Sequence, residues 1–90
     1  MFDLTGKCAL VTGASGVLGA AIAKDLHAAG ATVALSGRRE EALQKVAAEL
    51  GDRTHVVPCD LGSMEAVDNL IKDAEAAMGQ VDILINNAGL

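Results

Sequence analysis

Residues 12–19 have the sequence Thr-Gly-Ala-Ser-Gly-Val-Leu-Gly, and the rest of the chain is arranged around this stretch. An apolar run, Cys8-Ala9-Leu10-Val11, precedes it, and an alanine-rich segment with helical spacing follows it from Ala20. The order of strand, glycine-rich turn and helix predicts an anion site, because glycines let the backbone approach a ligand and a helix N-terminus favours negative charge. The pattern indicates the pyrophosphate of a dinucleotide, and the alternative is a glycine-rich turn without a ligand.

The composition is typical of one small domain with a tightly packed core. Of the 90 residues, 51% are hydrophobic and only Phe2 is aromatic, which predicts a core of Ala, Val, Leu and Ile. The net charge of −5 argues against a nucleic-acid partner. No apolar run is as long as a membrane span, and the first residues do not resemble a signal peptide, so we expect no membrane partner and a cytoplasmic location. Cys8 and Cys59 lack metal-ligand spacing, so we expect no metal site and no disulfide.

Strand and helix patterns alternate along the whole chain. Strands are predicted at residues 7–12, 32–36, 55–57 and 81–85, with helices between them at 17–29, 39–50 and 63–78. Because each connection contains a helix, the strands should be parallel and joined by right-handed crossovers. The predicted fold class is α/β, a Rossmann-like doubly wound parallel sheet, here a half-domain βαβαβαβ with strand order 3-2-1-4. The first two helices should cover one face and the third the other. The flavodoxin-like order 2-1-3-4 is the alternative.

Apolar residues at helical spacing predict which side of each helix faces the sheet. For the first helix these residues are Leu18, Ile22, Leu26 and Ala29, for the second Ala42, Leu43, Val46, Ala47 and Leu50, and for the third Val67, Leu70, Ile71, Ala74 and Met78.

The end of the second predicted strand indicates which dinucleotide is bound. Folds of this class place an acidic residue there to bind the ribose hydroxyls of NAD. This chain instead has Ser36-Gly37-Arg38-Arg39, with no carboxylate before Glu40. Arg38 could bind a 2′-phosphate through paired, charge-assisted hydrogen bonds, which favours NADP over NAD. The alternative is that Arg38 and Arg39 are solvated charges at the start of a helix.

Polar residues also follow the third and fourth predicted strands. Asp60 follows the third and could accept a hydrogen bond from an adenine amino group, or it could be an ordinary turn aspartate. The segment Asn86-Asn87-Ala88-Gly89 follows the fourth. Two successive amides need matched hydrogen-bond partners if they are buried, so the segment predicts a network that joins the fourth strand to the first. The alternative is a turn that only ends a strand.

Three segments together resemble the amino-terminal half of the short-chain dehydrogenase/reductase family: residues 12–19, Asp60-Leu61 and residues 81–89. Within the family the chain is most similar to the bacterial 3-oxoacyl-acyl carrier protein reductases of fatty-acid synthesis, and the resemblance covers essentially all of it. It implies that Asn86 stabilises the sheet and that NADP(H) is bound by the other matching residues. These are Gly13, Ser15, Gly16, Leu18 and Gly19 at the pyrophosphate, Arg38 at the 2′-phosphate, Asp60 and Leu61 at the adenine, and Asn87, Ala88 and Gly89 at the adenosine side.

The glycine turn departs from the commoner family pattern, TGxxxGxG, at Val17, where a glycine is expected. The spacing G-x-x-G-x-x-G is closer to that of the extended branch of the family. Val17 places a branched carbon near the expected phosphate position. A basic residue that is frequent in the family at the position of Gly16 is also missing, which leaves Arg38 as the main NADP determinant.

Family catalysis requires a serine and a tyrosine with a lysine four residues later, and the chain contains no tyrosine. We therefore expect no catalytic residues within 1–90 and interpret the chain as the dinucleotide-binding half of a reductase, inactive alone. Two other hypotheses stay open. The chain is either a truncated or engineered Rossmann fragment that self-associates through the edge of its fourth strand, or one piece of a reductase that functions when the other half is supplied.

Overall fold

The computed structural model describes residues 3–59 and 64–87. Four strands alternate with three helices: β1 (Cys8–Val11), α1 (Val17–Ala28), β2 (Thr32–Leu35), α2 (Glu40–Leu50), β3 (Thr54–Val56), α3 (Met64–Met78) and β4 (Ile83–Ile85). The strands form one parallel sheet in the order β3-β2-β1-β4. The predicted Rossmann-like order is therefore confirmed, and the alternative order 2-1-3-4 is wrong.

The central strand β1 is buried on both faces, as expected for a parallel strand between two layers of helices. Its side chains alternate between two hydrophobic clusters. Ala9 and Val11 belong to the cluster that includes residues of α1 and α2, and Leu10 belongs to the cluster that includes residues of α3. The first two helices thus cover one face and the third covers the other, as the sequence predicts.

The buried side of α1 differs from the prediction. Leu18 is 60% exposed, whereas Gly19 and Ala23 are buried. Small residues on this side let the helix lie close to the end of β1, which a larger side chain would prevent. The prediction that Leu18 packs on the sheet is therefore wrong, although Leu26 does pack partly against the core.

Several boundaries lie one or two residues from the predicted ones. Arg39 has an extended backbone, with φ −101° and ψ 92°, so α2 begins at Glu40. The regular part of β4 is shorter than expected, but pairing with β1 begins earlier, because the Asp82 amide donates to the Cys8 carbonyl at 2.8 Å. None of the helices in the described ranges combines the length and apolar content needed to cross a membrane.

One part of the α3-covered face remains open. Leu70 and Ala74 of α3 pack against Leu10 and Ala34 in the middle of the sheet. Leu84 of β4 is 53% exposed and Val67 of α3 is 39% exposed. The expectation that Val67 belongs to the buried side of α3 is wrong, because the described residues place too little apolar surface beside β4 to cover it.

Candidate dinucleotide site

The glycine turn lies at the carboxyl end of the sheet and is held against β2. Gly13 has φ +64°, a left-handed conformation that glycine adopts without strain. The Ala14 amide donates to the Ser36 carbonyl at 2.9 Å, and the Gly16 amide donates to the Gly13 carbonyl at 3.2 Å. Ala14 is fully buried beneath the turn. The backbone of residues 13–16 is therefore fixed by the fold before any ligand binds.

Gly19 allows α1 to pack directly on this turn. A Cβ atom at position 19 would overlap the Gly13 carbonyl oxygen and lie 2.8 Å from the Gly13 carbonyl carbon and 2.9 Å from Ala14 Cα. These neighbours are backbone atoms that cannot move without disrupting the turn. Gly19 is thus required for the packing of α1 on the turn.

The amino end of α1 is open. Gly16 occupies the N-cap position with φ −82° and ψ 166°, and no side chain caps the helix. Gly16 is exposed, and a Cβ atom there would meet only the Gly13 carbonyl oxygen, at 3.6 Å. Because the first amides of a helix have no partner within it, they and the helix dipole form a site for an anion.

Val17 does not fill the turn. Its side chain is 92% exposed at the first position of α1, and that of the neighbouring Leu18 is 60% exposed. The branched carbon that is expected near the phosphate therefore projects into solvent.

The Thr12 hydroxyl joins the ends of β1 and β4. It accepts a hydrogen bond from the backbone amide of Asn87 at 2.9 Å. It also lies 3.2 Å from the Ile85 carbonyl oxygen and 3.3 Å from Asn86 Oδ1. The Asn87 side-chain amide donates to the Gly13 carbonyl at 3.3 Å. The segment after β4 is thereby tied to the glycine turn. The successive amides of Asn86 and Asn87 predict such a network, but the part of Thr12 in it was not predicted. The position of Thr12, between β1 and the first glycine of the turn, was the signal that could have indicated it.

Ser15 and Gly37 bring the turn next to the end of β2. A Cβ atom at position 37 would lie 3.4 Å from Ser15 Oγ and 3.5 Å from Leu43 Cδ2. The end of β2, where a ribose is predicted, is therefore adjacent to the turn, where a phosphate is predicted. Gly37 is a second residue of this site that was not predicted. Its position at the end of β2, about 20 residues after the glycine turn, was the signal that could have indicated it.

Arg38 follows Gly37 with an exposed side chain, and within residues 3–59 and 64–87 it forms no ion pair. Its guanidinium is therefore accessible for binding an anion. A separate shallow groove of about 530 Å³ lies along the start of α2, lined by Arg39, Glu40, Glu41, Ala42 and Lys45. Two acidic and two basic side chains balance in this groove, which gives it no preference for a phosphate.

Ser36 is a buried polar residue at the same rim. It is 1% exposed, and its hydroxyl has no hydrogen-bond partner in the described part of the structure. An unpaired buried hydroxyl costs about 1–3 kcal/mol. By strand alternation it lies on the same face of the sheet as Ala34 and Leu10, the face that α3 covers.

The other predicted site residues, Asp60, Leu61, Ala88 and Gly89, lie outside the described residues. Within the described residues, hydrogen bonds lower the pKa of Asp3 and of Asp82, and burial raises the pKa of the Cys8 thiol. These three groups lie at the opposite end of the sheet. The described residues hold no group of three or more His, Cys, Asp or Glu side chains that could bind a metal ion. The chemistry that the described geometry supports is therefore the binding of an anionic, phosphate-bearing ligand.

A parallel sheet whose central strand ends in an open glycine turn, under an uncapped helix, defines a dinucleotide-binding fold of the Rossmann class. Comparison with known proteins identifies the family. The family model described as short chain dehydrogenase matches residues 7–90, and the chain belongs to this family.

Curated relatives align along the whole chain. Nodulation protein G of Rhizobium sp. (strain N33) is 56% identical over 90 residues, which are 100% of this chain and 37% of that protein. An uncharacterized oxidoreductase of Staphylococcus aureus (strain USA300) is 52% identical over 99% of this chain and 39% of its own length. The chain thus spans between a third and two fifths of the length of these relatives.

Solved structures share the fold closely. The hydroxysteroid dehydrogenase from Escherichia coli has a TM-score of 0.90 and 38% identity over 98% of this chain and 39% of its own. The 3-ketoacyl-(acyl-carrier-protein) reductase from Brucella melitensis, solved in complex with NADH, has a TM-score of 0.85 and 36% identity over 91% of this chain and 34% of its own. These matches agree with membership of the short-chain dehydrogenase family, and the relative from Brucella melitensis binds NADH. The resemblance to the acyl carrier protein reductases is one among several.

Proposed function

We propose that this chain is the NADP(H)-binding portion of an oxidoreductase that resembles 3-oxoacyl-acyl carrier protein reductase. The observation that carries the proposal is the uncapped amino end of α1 above the turn between Gly13 and Gly19. The Thr12 and Asn87 hydrogen bonds hold this turn from the side of β4. A pyrophosphate there would supply the acceptors that the first amides of α1 lack.

In this proposal the turn residues bind the pyrophosphate through their backbone. Amides of Ser15, Leu18 and Gly19 are the candidate donors. Gly13 provides the bend, and Gly16, whose amide already donates to the Gly13 carbonyl, leaves the amino end of α1 without a side-chain cap. Asn87 contributes by fixing the rim on the adenosine side, while Asn86 contributes by stabilising the sheet. Asp60, Leu61, Ala88 and Gly89 complete the proposed cofactor site on the strength of the family resemblance.

The preference for NADP over NAD rests on Gly37 and Arg38. The absence of a carboxylate at position 37 removes the usual acceptor for a free 2′-hydroxyl and the repulsion of a 2′-phosphate. The exposed Arg38 guanidinium supplies charge-assisted donors at the same place. The structural relative from Brucella melitensis was solved with NADH, so the test must discriminate between the two cofactors directly.

The proposed reaction of the whole reductase is reduction of a 3-oxoacyl thioester by hydride transfer from NADPH. The family resemblance assigns proton transfer to a tyrosine with a lysine four residues later, and this chain contains no tyrosine. We therefore propose that residues 1–90 bind the cofactor but do not reduce a ketoacyl substrate alone. The cofactor, when bound, supplies the hydride, and the residues of this chain bind and orient it.

The test is calorimetric titration of the purified chain with NADPH and with NADH. NADPH should bind at least about tenfold more tightly, a difference of about 1.4 kcal/mol. Arg38→Gln should remove most of this preference while leaving NADH binding unchanged, and Arg39→Gln is the matched control. Gly37→Asp should reverse the preference. Absence of any binding at millimolar cofactor would contradict the proposal.

A second candidate function is that of a fragment that assembles with another polypeptide and has no activity of its own. The observation that favours it is the exposed Leu84 on the edge strand β4. A mixture with the remaining part of a full-length relative, assayed for NADPH-dependent ketoacyl reduction, tests whether the chain works as one piece of a reductase. Activity in the mixture that is absent from either piece alone would support this candidate, and no activity in the mixture would contradict it.

A further inference from the structure

Ser36, at the end of β2, has a hydroxyl that is buried without a hydrogen-bond partner. The residue is 1% exposed, and among the described residues no other buried side-chain oxygen or nitrogen is left unpaired. Such a group destabilises the fold, because its hydrogen bonds to water are lost and not replaced. Unpaired buried groups are therefore rare in native proteins, and a ligand that supplies the missing partner is one explanation for them.

The backbone of Ser36 is fixed on both sides. Its amide donates to the Val11 carbonyl at 2.9 Å, and its carbonyl accepts from the Ala14 amide at 2.9 Å. The residue therefore joins β1 to the glycine turn and cannot shift without disturbing both. Rotation about the Cα–Cβ bond, among the staggered positions, is the movement that can redirect the hydroxyl.

The side chain of Ser36 lies on the α3-covered face, at the carboxyl rim of the sheet. The parallel pairing of β2 continues one residue past Leu35, because the Ser36 amide bonds to β1 and the Val57 amide bonds to the Leu35 carbonyl. Thr12 and Val57 thus lie on either side of Ser36. Val57 packs in the hydrophobic cluster beneath α3. The hydroxyl is therefore located between the ends of β1 and β3.

The next residue, Gly37, faces the other side of the sheet. A Cβ atom at position 37 would lie 3.4 Å from Ser15 Oγ in the turn and 3.5 Å from Leu43 Cδ2 in α2. The ribose and 2′-phosphate predicted beside Gly37 and Arg38 would therefore occupy the side of α1 and α2. Ser36 is on the opposite side, next to the end of β3, where the adenine is predicted. In a dinucleotide whose phosphates occupy the glycine turn, the base is thus the group nearest to the Ser36 hydroxyl.

We propose that the Ser36 hydroxyl rotates toward the rim and forms a hydrogen bond with the adenine base of the bound dinucleotide. This inference rests on the proposed function. Adenine has ring nitrogens that accept and an amino group that donates, and a serine hydroxyl can do either. The destabilisation by an unpaired hydroxyl in the ligand-free chain is then offset when the base binds. Because NADPH and NADH carry the same base, Ser36 raises the affinity for both by the same factor and leaves the preference between them to Arg38.

The experiment combines urea denaturation of the ligand-free chain with calorimetric titration of NADPH and NADH, for wild type and for Ser36→Ala. Ser36→Ala should unfold at a higher urea concentration and yet bind each dinucleotide about fivefold more weakly. The ratio of the two affinities should stay unchanged, whereas Arg38→Gln should change it. Thr32→Ala is the matched control, because Thr32 lies on the same strand and, by alternation, on the same face, at the opposite end. It should leave both affinities unchanged.

Two smaller probes separate a contact with the base from a disturbance of the turn. ADP should lose the same factor of affinity in Ser36→Ala, and inorganic pyrophosphate, which has no base, should lose none. The inference is overturned if Ser36→Ala binds dinucleotides as tightly as wild type or is less stable without ligand. An equal loss for inorganic pyrophosphate, or a larger loss for NADPH than for NADH, also overturns it. These outcomes leave the proposed function intact, whereas a wild-type chain that binds no dinucleotide at millimolar concentration overturns both.

Discussion

The two ends of α1 differ in how their backbone groups are hydrogen-bonded: the amino end is called here the open end, and the carboxyl end, with the neighbouring amino end of the sheet, the closed end. At its carboxyl end the Arg53 guanidinium donates to the Ala31 carbonyl at 2.6 Å and to the His27 carbonyl at 3.4 Å, and the Gly30 amide also donates to His27, at 3.0 Å. At its amino end Gly16 provides no side-chain cap. One end of the helix is completed by the chain, and the other is left open to a ligand.

The same contrast holds for the sheet. At the amino end of β1 the Asp82 carboxylate accepts hydrogen bonds from the Cys8 amide at 2.8 Å and from Gln80 Nε2 at 2.7 Å, and Gln80 also donates to the Gly6 carbonyl at 3.3 Å. At the carboxyl end, the Thr12 and Asn87 contacts position the backbone around the glycine turn. Within the described residues, the uncapped amino end of α1 therefore indicates where a ligand could complete the structure.

The largest expected effect is that of Gly19→Ala at the open end. Its methyl group would overlap the Gly13 carbonyl, so we expect a loss of about 3 kcal/mol in the free energy of unfolding, measured by urea denaturation. Dinucleotide binding should fall with it. Gly16→Ala is the control, because its Cβ atom makes an ordinary contact of 3.6 Å. Equal losses for the two variants would contradict the packing role of Gly19.

Gly16→Asp should separate stability from binding. An aspartate at the N-cap should stabilise α1 by a few tenths of a kcal/mol, because its carboxylate accepts from the free amides. The same charge should weaken NADPH binding by tenfold or more, about 1.4 kcal/mol or above, through repulsion of the pyrophosphate. Gly16→Asn provides a similar cap without the charge. If Gly16→Asp binds NADPH as tightly as Gly16→Asn, the anion is bound elsewhere.

Arg53→Ala should weaken the closed end by about 1 kcal/mol, because the guanidinium hydrogen bonds to His27 and Ala31 are lost from a largely exposed position. Thermal and urea denaturation measure this loss. NADPH affinity should be unchanged, since the site lies at the opposite end of α1. Arg39→Ala is a control at an exposed arginine, and an equal loss of stability there would show that the Arg53 contacts contribute nothing.

Ser36→Ala should stabilise the chain by up to about 1 kcal/mol, because it removes a buried hydroxyl that has no partner in the described residues. Urea denaturation of the chain without ligand gives the value. Ser36→Thr keeps the hydroxyl and adds a methyl group, so it should destabilise. A loss of stability in Ser36→Ala would show that the hydroxyl is satisfied in solution.

Lowering the pH should reduce the free energy of unfolding, because protonation of the Asp82 carboxylate weakens the hydrogen bonds that it accepts at the amino end of the sheet. Hydrogen bonds from the Cys8 amide and the Gln80 side chain lower the pKa of this carboxyl in the folded state. The unfolded chain therefore binds more protons in the acid range, so the contribution is present above the unfolded pKa and is lost as pH falls through the folded one. Asp82→Asn should flatten this part of the stability–pH curve relative to the wild-type chain. Identical curves for wild type and Asp82→Asn would exclude the effect.

Much of the architecture follows from local patterns. The alternation of strands and helices, the glycine turn and the order β3-β2-β1-β4 are predictable, because chain connectivity and crossover handedness leave few arrangements. The open turn at the start of α1 was also predictable, since its glycines, Gly13, Gly16 and Gly19, are closely spaced in the sequence. Whether Asp60, Leu61, Ala88 and Gly89 complete the site stays a prediction.

The sequence by itself determined the class of fold and the position of the glycine turn at the start of α1, because both depend on residues that are close together in the chain. Only the tertiary structure decided that Thr12 joins Asn87, that Ser15 lies against Gly37, and that Leu18 and Leu84 are exposed. These properties depend on neighbours distant in sequence. Helical or strand spacing predicts which side a residue occupies, whereas the elements packed against that side decide whether it is buried.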